Sequence, residues 1–273
     1  MSAVTAARRT LQSGLLGAYD LARRTGAFER PAVQRLYSRV YFVYKRRLEA
    51  RANAALLAWI TPGSTVIDVG ANIGFFTVAF ARRVGSEGHV IAFEPDGHNV
   101  TTLRWNLDRA GIANVVVVEA ALADRSGPGT LYLNPSHPAD HRIFAGDETR
   151  PHEAVPLVTL DEYLTASPVV APISLIKIDI QGAEVKALRG MTKTLARVPD
   201  ATLLVEYTPA ALRDAGDSPE ALLDFFRSRQ YRPYMFAERS RRFEPVTYET
   251  LAAVRAGDDY FDVLFTRAEE PAR

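Results

Sequence analysis

Four times along this chain a short apolar run ends in a turn and gives way to an amphipathic helical pattern. The pairs are residues 65–70 with 73–84, 89–94 with 97–110, 174–179 with 183–197, and 202–207 with 218–229. Such alternation predicts a parallel sheet with helices wound on both faces, because each helix must carry the chain back across the sheet. A further strand is expected at 114–119, and two late strand-like pieces at 231–236 and 260–266. The late pair leaves no room for a normal crossover helix, so it predicts an antiparallel edge. The fold class is therefore α/β, Rossmann-like, with about seven strands. Between the third and fourth strands lies a long irregular stretch with strand-like pieces at 130–133 and 155–158.

Charge divides the chain in two. Residues 1–60 hold eleven basic and three acidic residues, a net of +8, while the remainder holds 22 basic and 29 acidic residues, a net of −7. The first segment reads as helix broken near Gly26 and at Pro31, with Leu36, Val40, Val43 and Leu48 spaced along one face that the arginines mostly avoid. We expect a basic helical segment over 1–60 and an acidic body over 61–270. The basic segment is suited to cap the body, to contact another subunit, or to lie peripherally on an anionic membrane face; "LYSRVYFVYKRR" mixes tyrosines with cations as interfacial segments do. Absence of cysteine excludes disulfides, thiolate metal sites and cysteine nucleophiles. No apolar run approaches the roughly 18–20 residues of a membrane span, and the N-terminus is interrupted by Arg8, Arg9 and Gln12 where a signal peptide is apolar. A cytoplasmic location is the resulting expectation.

The most informative stretch is "VIDVGANIGFFTVAFARR", residues 66–83. Ligands of such sheets bind at the carboxyl ends of the strands, where the first turn meets a helix. Gly70 and Gly74 let the backbone approach a ligand, and Asn72 between them tolerates a left-handed conformation. Asp68 ends a buried strand and needs a partner, which a cationic amino group or backbone donors would supply. Twenty residues after Gly74, Glu94 closes the second strand, placed to accept from both hydroxyls of a ribose. The G-A-N-I-G turn lacks the middle glycine and spacing of a dinucleotide turn. An acid ahead of the turn suits a ligand with an ammonium and no pyrophosphate. S-adenosylmethionine is favoured, with a nicotinamide nucleotide as the competing reading.

"DVGANIGFFT", "GHVIAFEP", "NVVVVEAAL", "VTLDEYL" and "LIKIDIQGAEVKALRGM" together resemble, in order and spacing, the FkbM family of S-adenosylmethionine-dependent methyltransferases over about residues 60–210. The resemblance implies a class I methyltransferase fold and O-methylation of hydroxyls on sugars, polyketides or glycolipids. It implies that Asp68, Gly70, Asn72 and Gly74 line the methionine end of the cofactor, that Glu94 holds the ribose, and that Glu119, Ala120, Ala121 and Asp124 lie beside the adenine. Gln181 departs from the family, which usually has an acid there. "DHRI", residues 140–143, resembles a feature recurring in part of the family.

Methyl transfer to oxygen requires alignment of the acceptor with the methyl group and removal of the hydroxyl proton. Lys177 and Asp179 fall on one side of the fourth strand by period-two alternation, with Asp179 at its mouth; Glu184 opens the next helix and Glu206 closes the fifth strand. With His141 of the insert, these are the catalytic candidates, although Lys177 reads more simply as a neutralising partner and Glu184 as a helix-start acid. A divalent cation on Asp179 and Glu206 is a less favoured reading. The expected partner is a hydroxyl-bearing small molecule, glycan or glycolipid. Against nucleic acid stand the acidic body and the absence of an aromatic in "DIQG" to stack a flipped base. A non-catalytic cofactor-binding module is the alternative outside enzymes.

Overall fold

The computed structural model describes residues 50–134, 141–144, 150–167, 171–254 and 261–268, with scattered positions between 21 and 43. The chain runs α1 (Ala50–Leu57), β1 (Thr65–Val69), α2 (Phe75–Val84), β2 (His89–Phe93), α3 (Gly97–Ala110), β3 (Val115–Val118), β4 (Ala121–Leu122), β5 (Gly127–Tyr132), β6 (His152–Val158) and α4 (Leu160–Ala166). It continues through β7 (Ile173–Ile178), α5 (Glu184–Arg189), α6 (Thr192–Arg197), β8 (Thr202–Tyr207), α7 (Pro209–Asp214), α8 (Pro219–Arg227), β9 (Arg232–Ala237), β10 (Arg242–Pro245), α9 (Tyr248–Ala252) and β11 (Phe261–Thr266).

The main sheet has the order β10-β9-β11-β8-β7-β1-β2-β3. From β3 to β8 all neighbours are parallel, and β11 runs antiparallel to both β8 and β9. It is the expected α/β, Rossmann-like architecture with an antiparallel edge. The order reverses at β1, which lies between β2 and β7, so a crevice opens outside the carboxyl ends of β1 and β7.

Alternation along the strands explains the layers. Val66, Val90, Leu175 and Leu204 pack with Leu56, Phe80, Ala81 and Val84 on the α1/α2 face. Their neighbours Ile67, Ile91, Ile176 and Leu203 pack with Val185, Leu188, Leu195, Leu222 and Phe226 on the other. Both faces of the central strands are buried, which is why their sequences are apolar almost throughout.

Three features differ from the expectations or extend them. The main sheet has eight strands rather than about seven: β10 pairs with β9 through a turn at 238–241 that lacks glycine and asparagine, so nothing marks it in the sequence. Arg241 takes the left-handed conformation there, φ 58°. The strand-like pieces of the insert form a separate sheet, β4-β6-β5. The helix expected over 183–197 is two helices divided at Gly190, where a Cβ would lie 2.0 Å from the Ala123 carbonyl oxygen.

Of the apolar positions in the basic segment, Leu36, Val40 and Val43 are helical and exposed, at 62%, 47% and 51%. Leu48 lies outside the described residues. Phe42 meets Phe75 edge-on, with centroids 5.5 Å apart, at the start of α2. Among the described residues no helix is long and apolar enough to cross a membrane.

Candidate active site

The turn after β1 is built from backbone that only certain residues allow. Gly70 (φ 78°) is pressed against β7, where a Cβ would stand 2.0 Å from the Asp179 carbonyl oxygen. Gly74 (φ 89°) faces α3, where a Cβ would stand 2.3 Å from Leu103. Both glycines are therefore demanded by packing and by conformation. Asn72 (φ 49°) donates its amide to Glu94 Oε2 at 2.8 Å, while its side-chain oxygen accepts the Ile73 amide at 2.7 Å. Glu94 Oε1 accepts the Asp96 amide at 3.1 Å and Asn99 Nδ2 at 3.2 Å. Burial pushes the Glu94 carboxyl up to about 7 even though these donors favour its ionised form.

Asp68 faces inward. Its Oδ2 accepts from the Thr77 hydroxyl at 2.7 Å, and Oδ1 lies 3.6 Å from Lys177 Nζ with no hydrogen bond of its own. The register sets Asp68 and Lys177 side by side on β1 and β7. Lys177 Nζ also stands 3.3 Å from Asp179 Oδ2 and 5.2 Å from the Phe76 ring centre. Burial alone would lower the Lys177 pKa, but Asp179 and Asp68 outweigh it and hold the amine above its ordinary range. Lys177 thus lies as a cation between two carboxylates. Desolvation dominates at Asp68 and raises it despite Lys177.

At the mouth of β7, Gln181 (φ 54°) donates through Nε2 to Glu206 Oε2 at 2.8 Å and to Asp179 Oδ1 at 3.2 Å. One amide thus bridges the two carboxylates. Glu206 is raised well above the ordinary carboxylate range by burial, then by Asp179, Glu184 and Asp262. Asp179 is the open member of the set, its side chain 34% exposed. Glu184 is 1% exposed and accepts the amides of Ile180 and Gly182 at 3.2 and 3.1 Å. Burial raises it to about 7. Its task is to close the turn after β7, in keeping with a helix-start acid. Among the described residues no three His, Asp or Glu side chains are grouped to hold a metal ion.

Glu119 is exposed and pairs with Arg104 at 3.7 Å beside α3; Ala120 and Ala121 are buried next to it. Asp124 is exposed beside Gly190, which follows the end of α5. His141 packs against Asp96, its Nε2 3.1 Å from Asp96 Oδ2, while Nδ1 accepts the Asn134 amide at 3.0 Å. Both ring nitrogens thus have partners within the fold. Asp140 of "DHRI" lies outside the described residues.

Sequence reasoning missed Asp96, Thr77, Asn99 and Gln181 as working members. The signal for Asp96 was available, since Asp before "GHN" is a helix cap and its Oδ1 does accept the His98 and Asn99 amides. The site fits an adenosyl cofactor. A carboxylate offers about four acceptor positions, of which Glu94 has three occupied. The fourth remains for a ribose hydroxyl, and Ala120 and Ala121 present only methyl side chains nearby.

A family model described as Methyltransferase FkbM domain matches residues 68–233, more than half of the chain. Methyltransferase 1 of Beauveria bassiana is 26% identical over 146 residues, 47% of this chain and 58% of that protein. Hexuronic acid methyltransferase AglP of Haloferax volcanii is 26% identical over 193 residues, 69% of this chain and 74% of that protein. The match thus spans little more than half the length of the first relative. Among solved structures, Methyltransferase FkbM from Methylobacillus flagellatus KT superposes with a TM-score of 0.47 at 16% identity, over 76% of this chain and 44% of that one.

Proposed function

The chain belongs to the methyltransferase FkbM domain family, and from that premise we propose that it transfers a methyl group from S-adenosylmethionine to a hydroxyl of a sugar, glycolipid or polyketide-type acceptor. The observation that carries this reading is the meeting, at one switch point, of the turn bound to Glu94 and the open, lysine-paired carboxylate of Asp179. The name of the Haloferax volcanii relative supports a sugar as acceptor.

When bound, the cofactor supplies an electrophilic methyl group. In this reading Asp68, Gly70, Asn72 and Gly74 shape the surface for its methionine end, Glu94 receives the ribose, and Glu119, Ala120 and Ala121 flank the adenine. Asp179 takes the acceptor's hydroxyl proton, since an alcohol is a poor nucleophile at neutral pH. Lys177 fixes one Asp179 oxygen and Gln181 the other, so the carboxylate is aimed before an acceptor arrives. Glu206, its proton affinity raised by burial and by its acidic neighbours, lies alongside.

The test is incubation with methyl-labelled S-adenosylmethionine and host extract separated into lipid, small-molecule, polysaccharide and nucleic-acid fractions, with Glu94→Ala as control. Label confined to a lipid, small-molecule or polysaccharide fraction and lost in the variant is expected. Label in nucleic acid would overturn the acceptor class. Cofactor binding with no label in any fraction would point to a binding module.

The net charge of +8 on residues 1–60 and the exposed Leu36, Val40 and Val43 support peripheral contact with an anionic membrane. Co-sedimentation with vesicles containing phosphatidylserine, weakened when these three residues become Ser, is the expected result. No sedimentation of the intact chain would end that reading.

A further inference from the structure

The insert's histidine has no part in the chemistry above, yet its ring is fixed from both sides. A ring nitrogen that accepts an N–H carries no proton of its own, so with Nδ1 accepting from Asn134 the hydrogen sits on Nε2 and is donated to Asp96. The two side chains are 7% and 4% exposed, which leaves little water to replace either partner. Asp96 is shared in turn. Its Oδ2 meets His141, its Oδ1 accepts the His98 and Asn99 amides at 2.7 and 2.9 Å, and its own amide donates to Glu94 Oε1 at 3.1 Å. Glu94 then receives the Asn72 amide at 2.8 Å. A continuous series of hydrogen bonds runs from the insert through α3 to the turn after β1.

Arg142, the next residue, is tied in the opposite direction. It pairs with Asp214 at 3.1 Å, at the end of α7, and lies 5.6 Å from the Phe144 ring centre. Lys186 of α5 stands 5.4 Å from the same ring. Consecutive residues of the insert thus grip the β2 side and the β8 side of the switch point.

We propose that His141 is a positioning residue for the cofactor site: by holding Asp96 it fixes Glu94 and the turn, and so couples the insert to cofactor binding. This rests on the reading of Glu94 as the acid that receives the ribose. Any load on the insert reaches Glu94 through the same imidazole.

The test sets His141→Leu beside His141→Gln, whose amide Nε2 can still reach Asp96, in the full chain. Calorimetric titration with S-adenosylhomocysteine is expected to show binding about tenfold weaker for the Leu variant and close to wild type for the Gln variant. Without any ligand, amide hydrogen exchange at Asn72 and Asp96 is expected to quicken in the Leu variant alone, with β8 amides unchanged. Unchanged affinity and unchanged Asn72 exchange in the Leu variant would overturn the proposal. Equal losses in both variants would do so too, because they would mark ring packing rather than the hydrogen bond. If the wild-type chain binds no S-adenosylhomocysteine, the cofactor reading fails, and exchange at Asn72 alone decides whether His141 holds the turn.

Discussion

The carboxyl ends of β1 and β2 and those of β7 and β8 both carry buried acids, yet hold them by different means. Glu94 is bound by two backbone amides and a carboxamide, none of which can lose a proton. Across the switch point, a lysine holds Asp179 and one glutamine side chain bridges Asp179 and Glu206, whose charges repel. The first arrangement keeps its shape through titration; the second is set by the protonation of its members. A surface that must fit one invariant ligand suits the first, and a surface that must move a proton suits the second.

The strongest way to break this comparison is Lys177→Met. It leaves Asp68 and Asp179 without their cation, and removing one partner of a buried pair costs about 3–5 kcal/mol. Urea denaturation is expected to show that loss, with Gly70 and its contact to Asp179 disturbed as well. Titration sharpens the comparison next. Folded Glu94 and Glu184 keep their protons up to about 7, while the unfolded chain releases them from about 4.5. Their stabilising share is fully present below 4.5 and is lost as pH rises to about 7, at up to about 1.4 kcal/mol per pH unit per group. Melting temperature should therefore be higher at pH 5 than at pH 8. Glu94→Gln should flatten the dependence on one side of the switch point and Glu206→Gln on the other.

Gln181→Glu is a smaller step. It replaces the bridging donor with a third carboxylate, and a loss of about 1–3 kcal/mol is expected at pH 8, most of it recovered at pH 5 where the new acid is protonated. A melting temperature equally lowered at both pH values would mean that shape, not charge, makes the bridge. The smallest effect belongs to Arg104→Ala. Its pair with Glu119 is half-exposed at 3.7 Å, and such pairs contribute about 0–1 kcal/mol, so cofactor affinity should barely change.

The same contrast governs what could be read from the sequence. Gly70, Asn72, Gly74 and Glu94 were legible because backbone conformation and strand-end position act over a few residues and restrict residue type. The parallel order and the antiparallel edge followed from strand–helix alternation. The helix α4 was hidden in an irregular stretch although Thr159 and Glu162 mark its start, the Thr159 hydroxyl accepting the Glu162 amide. Asp96 with His141, and Gln181 with Glu206, were not legible as pairs. Each joins elements distant in the chain, and no periodicity specifies which loop residue meets which strand end. His141, a candidate base by its place in a long insert, meets Asp96 at 3.1 Å, a contact no local pattern announces.

The insert leaves and re-enters the fold at one rung, for Tyr132 and His152 are direct partners in the β5–β6 ladder. Closing a loop on a fixed rung costs only about 0.6 kcal/mol more for each doubling of its length. Behind that rung, Gly190 locks β4 and α4 to the body, lying against Ala123 and accepting the Asp161 amide at 3.0 Å. Length can therefore be added between 133 and 151 at little thermodynamic cost, provided that His141 and Arg142 keep their partners Asp96 and Asp214. The insert is thus free to lengthen around two anchored residues, while the rung that closes it stays fixed.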